Sequence, residues 1–232
     1  MKQDISFFLP VRKGSQRVEN KNTRPFSNVS GGLLEIKLKQ LLECDFCKEI
    51  VLSTNDEKSI EIANTLNYLN KIRIERRPEH LCQSNTLVQD LIRYVPKVMQ
   101  TEHIFWVHAT SPFVDANDYF QAVSQYYDAL DCDYDSLMSV TKHHFFMWDA
   151  LEKKIANTDD TKGLWPNTQD LDPIYEINNA FFISSKKNYQ KFQNRIGINP
   201  KLYELEKIKN IDIDWEDDFL IAEILYSQSY SI

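Results

Sequence analysis

The run Ile5-Ser6-Phe7-Phe8-Leu9 is short and apolar, carries aromatic and β-branched side chains, and meets Pro10 at its end. Such a run reads as a strand buried on both faces, and that needs helices on each side of a sheet. The next segments keep the rhythm. Leu34, Leu38, Leu41 and Leu42 recur at helical spacing after Gly31-Gly32 and lead to a second strand, Glu49 to Thr54. Asn55-Asp56 is a plausible cap for a helix carrying Ile60, Ala63 and Leu66, and Ile72 to Glu75 is a third, alternating strand. Leu87, Leu91 and Val95 mark another helix, and His103 to His108 and Asp135 to Thr141 are further strands. This alternation predicts an α/β fold: a mostly parallel, doubly wound, Rossmann-like sheet with right-handed crossovers. A chain of 232 residues fits one such domain, residues 1–232, with a small excursion.

The loop after the first strand bears on function. Arg12, Lys13, Arg17, Lys21 and Arg24 stand against one carboxylate, Glu19, giving the segment +4 in a chain of net charge −7. The positive charge is therefore local, and the remainder of the chain is acidic. Gly14 permits positive φ, and Ser15, Asn20, Asn22 and Thr23 add short hydrogen-bonding groups, so the loop suits several phosphates. Open α/β sheets bind ligands beyond the carboxyl ends of their strands, which is where this loop lies. A solvated basic loop is the plain alternative. The loop is neither a Walker A sequence nor a Gly-x-Gly-x-x-Gly dinucleotide fingerprint. Ala109-Thr110-Ser111-Pro112 turns the chain beyond the fourth strand, beside the cationic loop.

Near the other end, Asp212 and Asp214 flank Ile213, and in extended chain they project to one side while the isoleucine faces the core. Paired carboxylates near phosphates suit Mg²⁺, although on spacing alone capping and solvation are the favoured reading. Asp217 and Asp218 read as first-turn acids of a helix beginning near Trp215. Adjacent His143 and His144 do not make a zinc site. Cys44 and Cys47 are formally Cys-x-x-Cys but fall at a helix end, where a structural role is expected. The acidic balance, with pI near 5.3, argues against nucleic acid as a partner. No apolar run approaches the ~20 residues of a membrane span, and no signal-peptide pattern precedes the first strand, so a cytoplasmic protein is expected. From Phe145 to Pro173 the rhythm is lost, and Trp148, Trp165, Asn157, Asp159, Asp160 and Gly163 suggest an excursion whose aromatics, on the residues alone, pack in the core.

Leu9-Pro10-Val11-Arg12-Lys13-Gly14-Ser15, followed by Lys21-Asn22 and Arg24-Pro25, resembles the N-terminal signature of the CMP-sialic acid synthetases, or acylneuraminate cytidylyltransferases, a group that extends to related CMP-nonulosonate and CMP-Kdo synthetases. The family's usual form is Pro-Ala-Arg-Gly-Gly-Ser, so Lys13 replaces a glycine. Thr110-Ser111-Pro112 resembles the end of the family's Gln-Pro-Thr-Ser-Pro, with His108 and Ala109 in place of Gln and Pro. Arg77-Pro78 resembles its Arg-Pro loop near the nucleotide, with Ser84 following at a position that is often small and polar or acidic. Asn178-Asn179-Ala180-Phe181-Phe182-Ile183 is similar to its Asn-Gly-Ala-Ile-Tyr-Ile strand, with Asn179 for the glycine and Phe182 for the tyrosine near substrate.

The resemblance implies cytidylyl transfer from CTP to an acidic 2-keto sugar, with release of pyrophosphate. It implies that Arg12 and Lys21 are catalytic, that Leu9, Pro10, Arg12, Ser15, Lys21, Asn22, Arg77, Ser84 and His108 bind nucleotide, that Lys142 and Phe182 bind sugar, and that Asp212 and Asp214 hold Mg²⁺. It also implies a homodimer whose arm lies in residues 142–173. Two rivals remain: a Mg²⁺-dependent glycosyltransferase, and a nucleotide-binding module without catalysis.

Overall fold

A computed structural model of the chain describes residues 4–158, 163 and 165–229, so Asp159 and Asp160 of the expected excursion lie outside the described residues. The strands are β1 (Ile5–Pro10), β2 (Ile50–Thr54), β3 (Ile72–Arg76), β4 (His103–Val107), β5 (Ser136–His143), a small hairpin of β6 (Trp148–Asp149) and β7 (Lys154–Ile155), then β8 (Ile174–Ser185) and β9 (Pro200–Glu204). The helices are α1 (Gly32–Leu42), α2 (Glu57–Leu66), α3 (Val88–Val98), α4 (Ala116–Leu130), α5 (Lys186–Phe192) and α6 (Glu216–Ser229). Seven strands form one sheet in the order β3-β2-β1-β4-β8-β5-β9. Within it β8 runs against its neighbours β4 and β5, and the other pairings are parallel.

The double-sided burial expected of β1 is present. Phe7 joins a core with Phe105, Phe181, Tyr119 and the leucines of α1, whereas Phe8 joins a second core with Val51, Trp106, Phe182 and Tyr189. Phe7 and Phe8 are both fully buried, and a fully buried phenylalanine contributes roughly 1.5–3 kcal/mol. The loop after β1 reaches α1 through Gly32, at φ +63°, where a Cβ would meet the Arg24 carbonyl oxygen at 2.0 Å. Asp56 is the N-cap of α2, its carboxylate accepting from the Ser59 hydroxyl at 2.7 Å rather than from backbone. Helix α4 starts at a reciprocal capping box of Asp115 and Asp118.

Strand β1 lies between β2 and β4, so the chain winds outward in both directions from the β1–β4 boundary. That boundary is a topological switch point, and the loops leaving the carboxyl ends of β1 and β4 diverge there to leave a crevice.

A bulge in β8 shapes the far side of the crevice. Met138 faces Phe182 and Val140 faces Ile177, so Ser139 alone spans residues 178–181. Its hydroxyl lies 2.7 Å from Asn178 Oδ1, receives the Phe181 N–H at 3.0 Å, and lies 3.1 Å from the Phe181 carbonyl, replacing lost ladder bonds. Asn179 sits in the bulge at φ +58°, the left-handed region that asparagine tolerates better than most residues.

Core packing does not describe the aromatics of the excursion. Phe145, Phe146, Trp148, Leu151 and Trp165 are all exposed, and Phe146 meets Trp165 with ring centroids 5.3 Å apart. His143 pairs with Glu176 at 2.6 Å and His144 with the Leu171 carbonyl at 2.7 Å. The cysteines are free, and Cys44 and Cys47 are buried, with burial pushing both thiols up, Cys47 to about 11.

Candidate active site

The crevice at the switch point is a cleft of about 380 Å³. Pro10 at the end of β1 and Arg12, Ser15, Lys21 and Asn22 of the loop after it line the cleft, and Asp212 and Asp214 line it beside that loop. Two segments separated by roughly the whole chain are thus brought together. Ile213 between the aspartates is fully buried while Asp212 and Asp214 line the cleft, the alternation that the spacing predicts.

The cations of the loop differ in what they touch. Lys21 donates to the Ile213 carbonyl at 2.6 Å and to Asp214 Oδ1 at 3.2 Å, which leaves one of the three N–H bonds of its ammonium for a ligand. Arg17 meets the same Asp214 oxygen at 2.9 Å. Arg12 makes a single long contact, to the Gly14 carbonyl at 3.4 Å, and is the least engaged guanidinium of the loop. Arg24 does not line the cleft; it pairs with Glu216 at 2.7 Å and lies 3.8 Å over the Phe219 ring, anchoring α6. Lys13 also lies outside the cleft, its backbone N–H bonded to Asn55.

Arg77 enters the cleft from the end of β3. It is buried, donates to the Ser53 hydroxyl at 3.1 Å and the Ser53 carbonyl at 2.6 Å, and has its pKa lowered chiefly by burial, with Arg12 adding like-charge repulsion. Two arginines that repel each other beside a cleft form a site for a polyanion.

His108 closes the β4 side. Its Nε2 accepts the Trp106 indole N–H at 2.6 Å, so the proton of the neutral ring is on Nδ1. Burial, with help from Arg195, Lys21 and Lys37, pulls its pKa down to about 3, so the ring is a neutral donor at physiological pH.

Asp212 and Asp214 fit a hard cation. Asp212 Oδ1 is buried without a hydrogen-bond partner among the described residues, an arrangement that costs free energy unless something occupies it. Burial, aided by the neighbouring Asp214 charge, raises the Asp212 carboxyl, while Thr110 and Lys21 pull the other way. An oxygen-only pair beside a phosphate-sized cationic wall suits Mg²⁺, which keeps waters and shares substrate phosphates.

The remaining expected residues are placed differently. Leu9 is fully buried in the main core, and Ser84 is exposed on the loop before α3, outside the cleft lining. Lys142 is on β5, 3.8 Å from Glu204 and outside the lining. Phe182 is fully buried, its ring beneath the Arg195 guanidinium at 3.8 Å, so it backs the cleft without lining it. Arg195, Trp106 and the apolar pair Val88 and Leu91 line the cleft although the sequence did not single them out for it. Val88 and Leu91 stand one helical turn apart, a signal legible in the sequence; Arg195 carries no local motif.

Residues 7–230 match the family described as Cytidylyltransferase. Among similar proteins, the pseudaminic acid cytidylyltransferase of Campylobacter jejuni (serotype O:23/36, strain 81-176) is 25% identical over 229 residues, covering 96% of each chain. The N-acylneuraminate cytidylyltransferase of Escherichia coli O18:K1:H7 is 25% identical over 232 residues, covering 96% of this chain and 52% of that protein. In three dimensions the chain resembles a CMP:2-keto-3-deoxy-manno-octonic acid synthetase complexed with CTP, with a TM-score of 0.68, 14% identity, and coverage of 97% of this chain and 99% of that one. Cations and carboxylates gathered in one cleft at the switch point agree with a match over nearly the whole length: this chain is a nucleotidyltransferase of the cytidylyltransferase family.

Proposed function

We propose that the protein transfers CMP from CTP to the anomeric hydroxyl of an acidic 2-keto sugar of the sialic acid and nonulosonate class, forming a CMP-sugar and releasing pyrophosphate. The observation that carries this reading is the meeting of Arg12 and Lys21 with Asp212 and Asp214 in one cleft at the switch point. The relatives that act on pseudaminic and N-acylneuraminic acids support the sugar class.

In this reading the triphosphate lies along the loop after β1. Arg12, the free N–H of Lys21 and Arg77 hold phosphate oxygens, and Ser15 and Asn22 donate or accept around the nucleotide. Pro10 ends the strand that aims the loop, and buried Leu9 fixes that strand in the core. Charge accumulates on pyrophosphate as the α-phosphorus is attacked in line, and fixed cations at that end favour the transition state over bound CTP. Asp212 and Asp214 would hold Mg²⁺, which when bound polarises phosphoryl oxygens and orients the reacting groups. Arg17 and Lys21, both on Asp214 here, are positioned to exchange that carboxylate for phosphate when nucleotide enters.

Residues 1–232 act as one catalytic domain, and the protein works as a homodimer through residues 142–173. The exposed Phe145, Phe146, Trp148, Leu151 and Trp165 support the dimer, since an apolar cluster of this kind marks an interaction surface. Among the described residues no helix is long and apolar enough to cross a membrane, and we place the protein in the cytoplasm, where CTP is available.

Incubation with CTP, Mg²⁺ and a panel of N-acetylneuraminic, legionaminic, pseudaminic and Kdo-type acids tests the function. Pyrophosphate released together with a CMP-sugar is expected with at least one acid. Turnover of nucleotide-sugar donors alone would make it a glycosyltransferase, and CTP binding without pyrophosphate would make it a binding module.

A further inference from the structure

Arg195 lies in the turn between α5 and β9 and reaches the cleft end opposite the loop after β1, beside Trp106, His108 and Asn179. Its guanidinium is held on three sides. It sits 3.8 Å over the Phe182 ring and 4.9 Å over the Trp106 ring, and its NH2 group donates to Asn179 Oδ1 at 3.1 Å. Asn179 can do this because the bulge in β8 places it at φ +58° on the cleft side. Glycine, the residue that the resembled strand pattern has there, would tolerate the same backbone but offer no side-chain oxygen.

No carboxylate pairs with Arg195 among the described residues, whereas Arg17 and Lys21 share Asp214 and Arg24 has Glu216. Burial lowers its pKa to about 10, the mark of a cation whose lost hydration has not been replaced by a counterion. Contact with two rings and the bond to Asn179 hold the guanidinium in place, and a held guanidinium with free N–H groups matches a carboxylate bidentately. The neighbouring His108 is neutral and presents an Nδ1–H donor, so it adds direction without adding charge. The two ends of the cleft therefore differ: Arg12 and Arg77 stand near each other at the end that suits phosphates, and a single arginine on an aromatic floor stands at the other.

We propose that Arg195 is the receptor for the carboxylate of the acceptor sugar, with Asn179, Phe182 and Trp106 as the residues that position it. The proposal rests on the cytidylyl-transfer reading and assigns a specificity-determining residue within it. It also gives Phe182 its role, since that ring acts through Arg195 rather than by touching sugar.

The test compares one acid of the panel that the wild type turns over with the methyl ester of the same sugar, in wild type, Arg195→Met and Arg195→Lys, with CTP affinity measured separately by calorimetry. Wild type should prefer acid to ester by ~10²-fold in kcat/KM, and Arg195→Met should raise KM for the acid to a similar extent while bringing the two substrates to within about threefold. CTP affinity should stay within about twofold, because the residue is not at the phosphate end. Arg195→Lys should fall between, keeping charge but losing the fork. Should Arg195→Met fail to bind CTP, and so fail to fold, Arg195→Lys decides alone: a rise of about fivefold or more in KM for the acid at unchanged CTP affinity supports the proposal, and an unchanged KM overturns it. An acid preference that survives in a folded Arg195→Met overturns it as well. Absence of turnover of every acid by the wild type would instead defeat the cytidylyl-transfer reading, and this inference with it.

Discussion

Replacing Lys37 by Met probes how the loop beyond β4 is held. Lys37 is on α1 and fully buried, yet no carboxylate among the described residues touches its amine. The Nζ atom lies 2.9 Å from the carbonyls of Ser111 and Val114 and 2.6 Å from the Tyr119 hydroxyl. The amine donates to all three oxygens, as the three N–H bonds of its charged form allow. Burial pulls its pKa down to about 7. The unfolded chain, with its lysine near 10.4, binds a proton between pH 7 and 10 that the folded chain does not, so stability from this residue rises with pH in that window. Methionine does not titrate, and the difference between wild type and Lys37→Met isolates the effect from the tyrosines and cysteines. Between pH 7 and 9 the wild type should gain about 2 kcal/mol on the variant, from ~1.4 kcal/mol per unit reduced by partial titration at pH 7. At either pH the variant also leaves two carbonyls without a donor, at about 1–3 kcal/mol each. Urea unfolding followed by tryptophan fluorescence at pH 7, 8 and 9 gives both numbers. A difference that stays flat over this range would refute the lowering of the Lys37 pKa by burial.

The metal assignment predicts that Asp212→Asn and Asp214→Asn each lower turnover by ~10²-fold or more at saturating CTP; near wild-type rates across a Mg²⁺ titration would remove it. Asp214→Asn should cost about 1 kcal/mol in stability, because its carboxylate and Arg17 are half exposed although Lys21 is mostly buried. Arg12→Ala and Lys21→Ala should each lower turnover by ~10²-fold, and Lys13→Ala, outside the cleft, by less than about threefold; three similar small losses confined to CTP affinity would leave only an anion-binding loop. Light scattering at micromolar concentration should give twice the 27.3 kDa chain mass, and a monomer would dispose of the dimer. His108, held near a pKa of about 3 against ~6.5 unfolded, contributes stability that is present above pH 6.5 and lost as pH falls toward 3. From pH 6.5 to 4.5 the wild type should lose up to about 2 kcal/mol more than His108→Gln, and parallel losses would mean that the ring protonates in the fold.

Much of the fold was legible because it rests on local patterns. The double-sided burial of Phe7 and Phe8, the leucines of α1 and the apolar run of β4 each announce their element within a few residues, and their alternation fixes a mostly parallel sheet. Helix α4 carries an equally local signal, in Asp115 and Asp118 and the helical spacing of Tyr119, Ala122, Val123 and Tyr126, yet it is not among the elements expected from the sequence. Strand β9, only Pro200–Glu204, gives almost no periodic signal and joins the sheet because β5 offers it an edge. For the excursion, the residues alone favour core packing and only the family resemblance points to a dimer arm, because aromatic content does not say which side of a ring faces water.

The candidate site divides along the same line. The cationic loop could be named as a phosphate candidate because charge sign bears on phosphate wherever the chain goes, whereas the separate roles of Arg12, Lys21, Asp212 and Asp214 come with the family resemblance, and the fold brings those four residues into one cleft. The acceptor end depends on pairings that no window contains: Asn179 in a bulge set by Ser139, Phe182 as the floor for a guanidinium from beyond α5, and Trp106 fixing the tautomer of His108. Read singly against a family pattern, Asn179, Phe182 and His108 each look like the loss of a contact. Read together with Arg195 they form one polar arrangement, in which an amide orients the cation, two rings hold it in place and a neutral imidazole leaves its charge unopposed. Substitutions of this sort trade one means of binding an acidic sugar for another, and so specificity at this end of the cleft has to be argued from the set of contacts rather than from any residue alone.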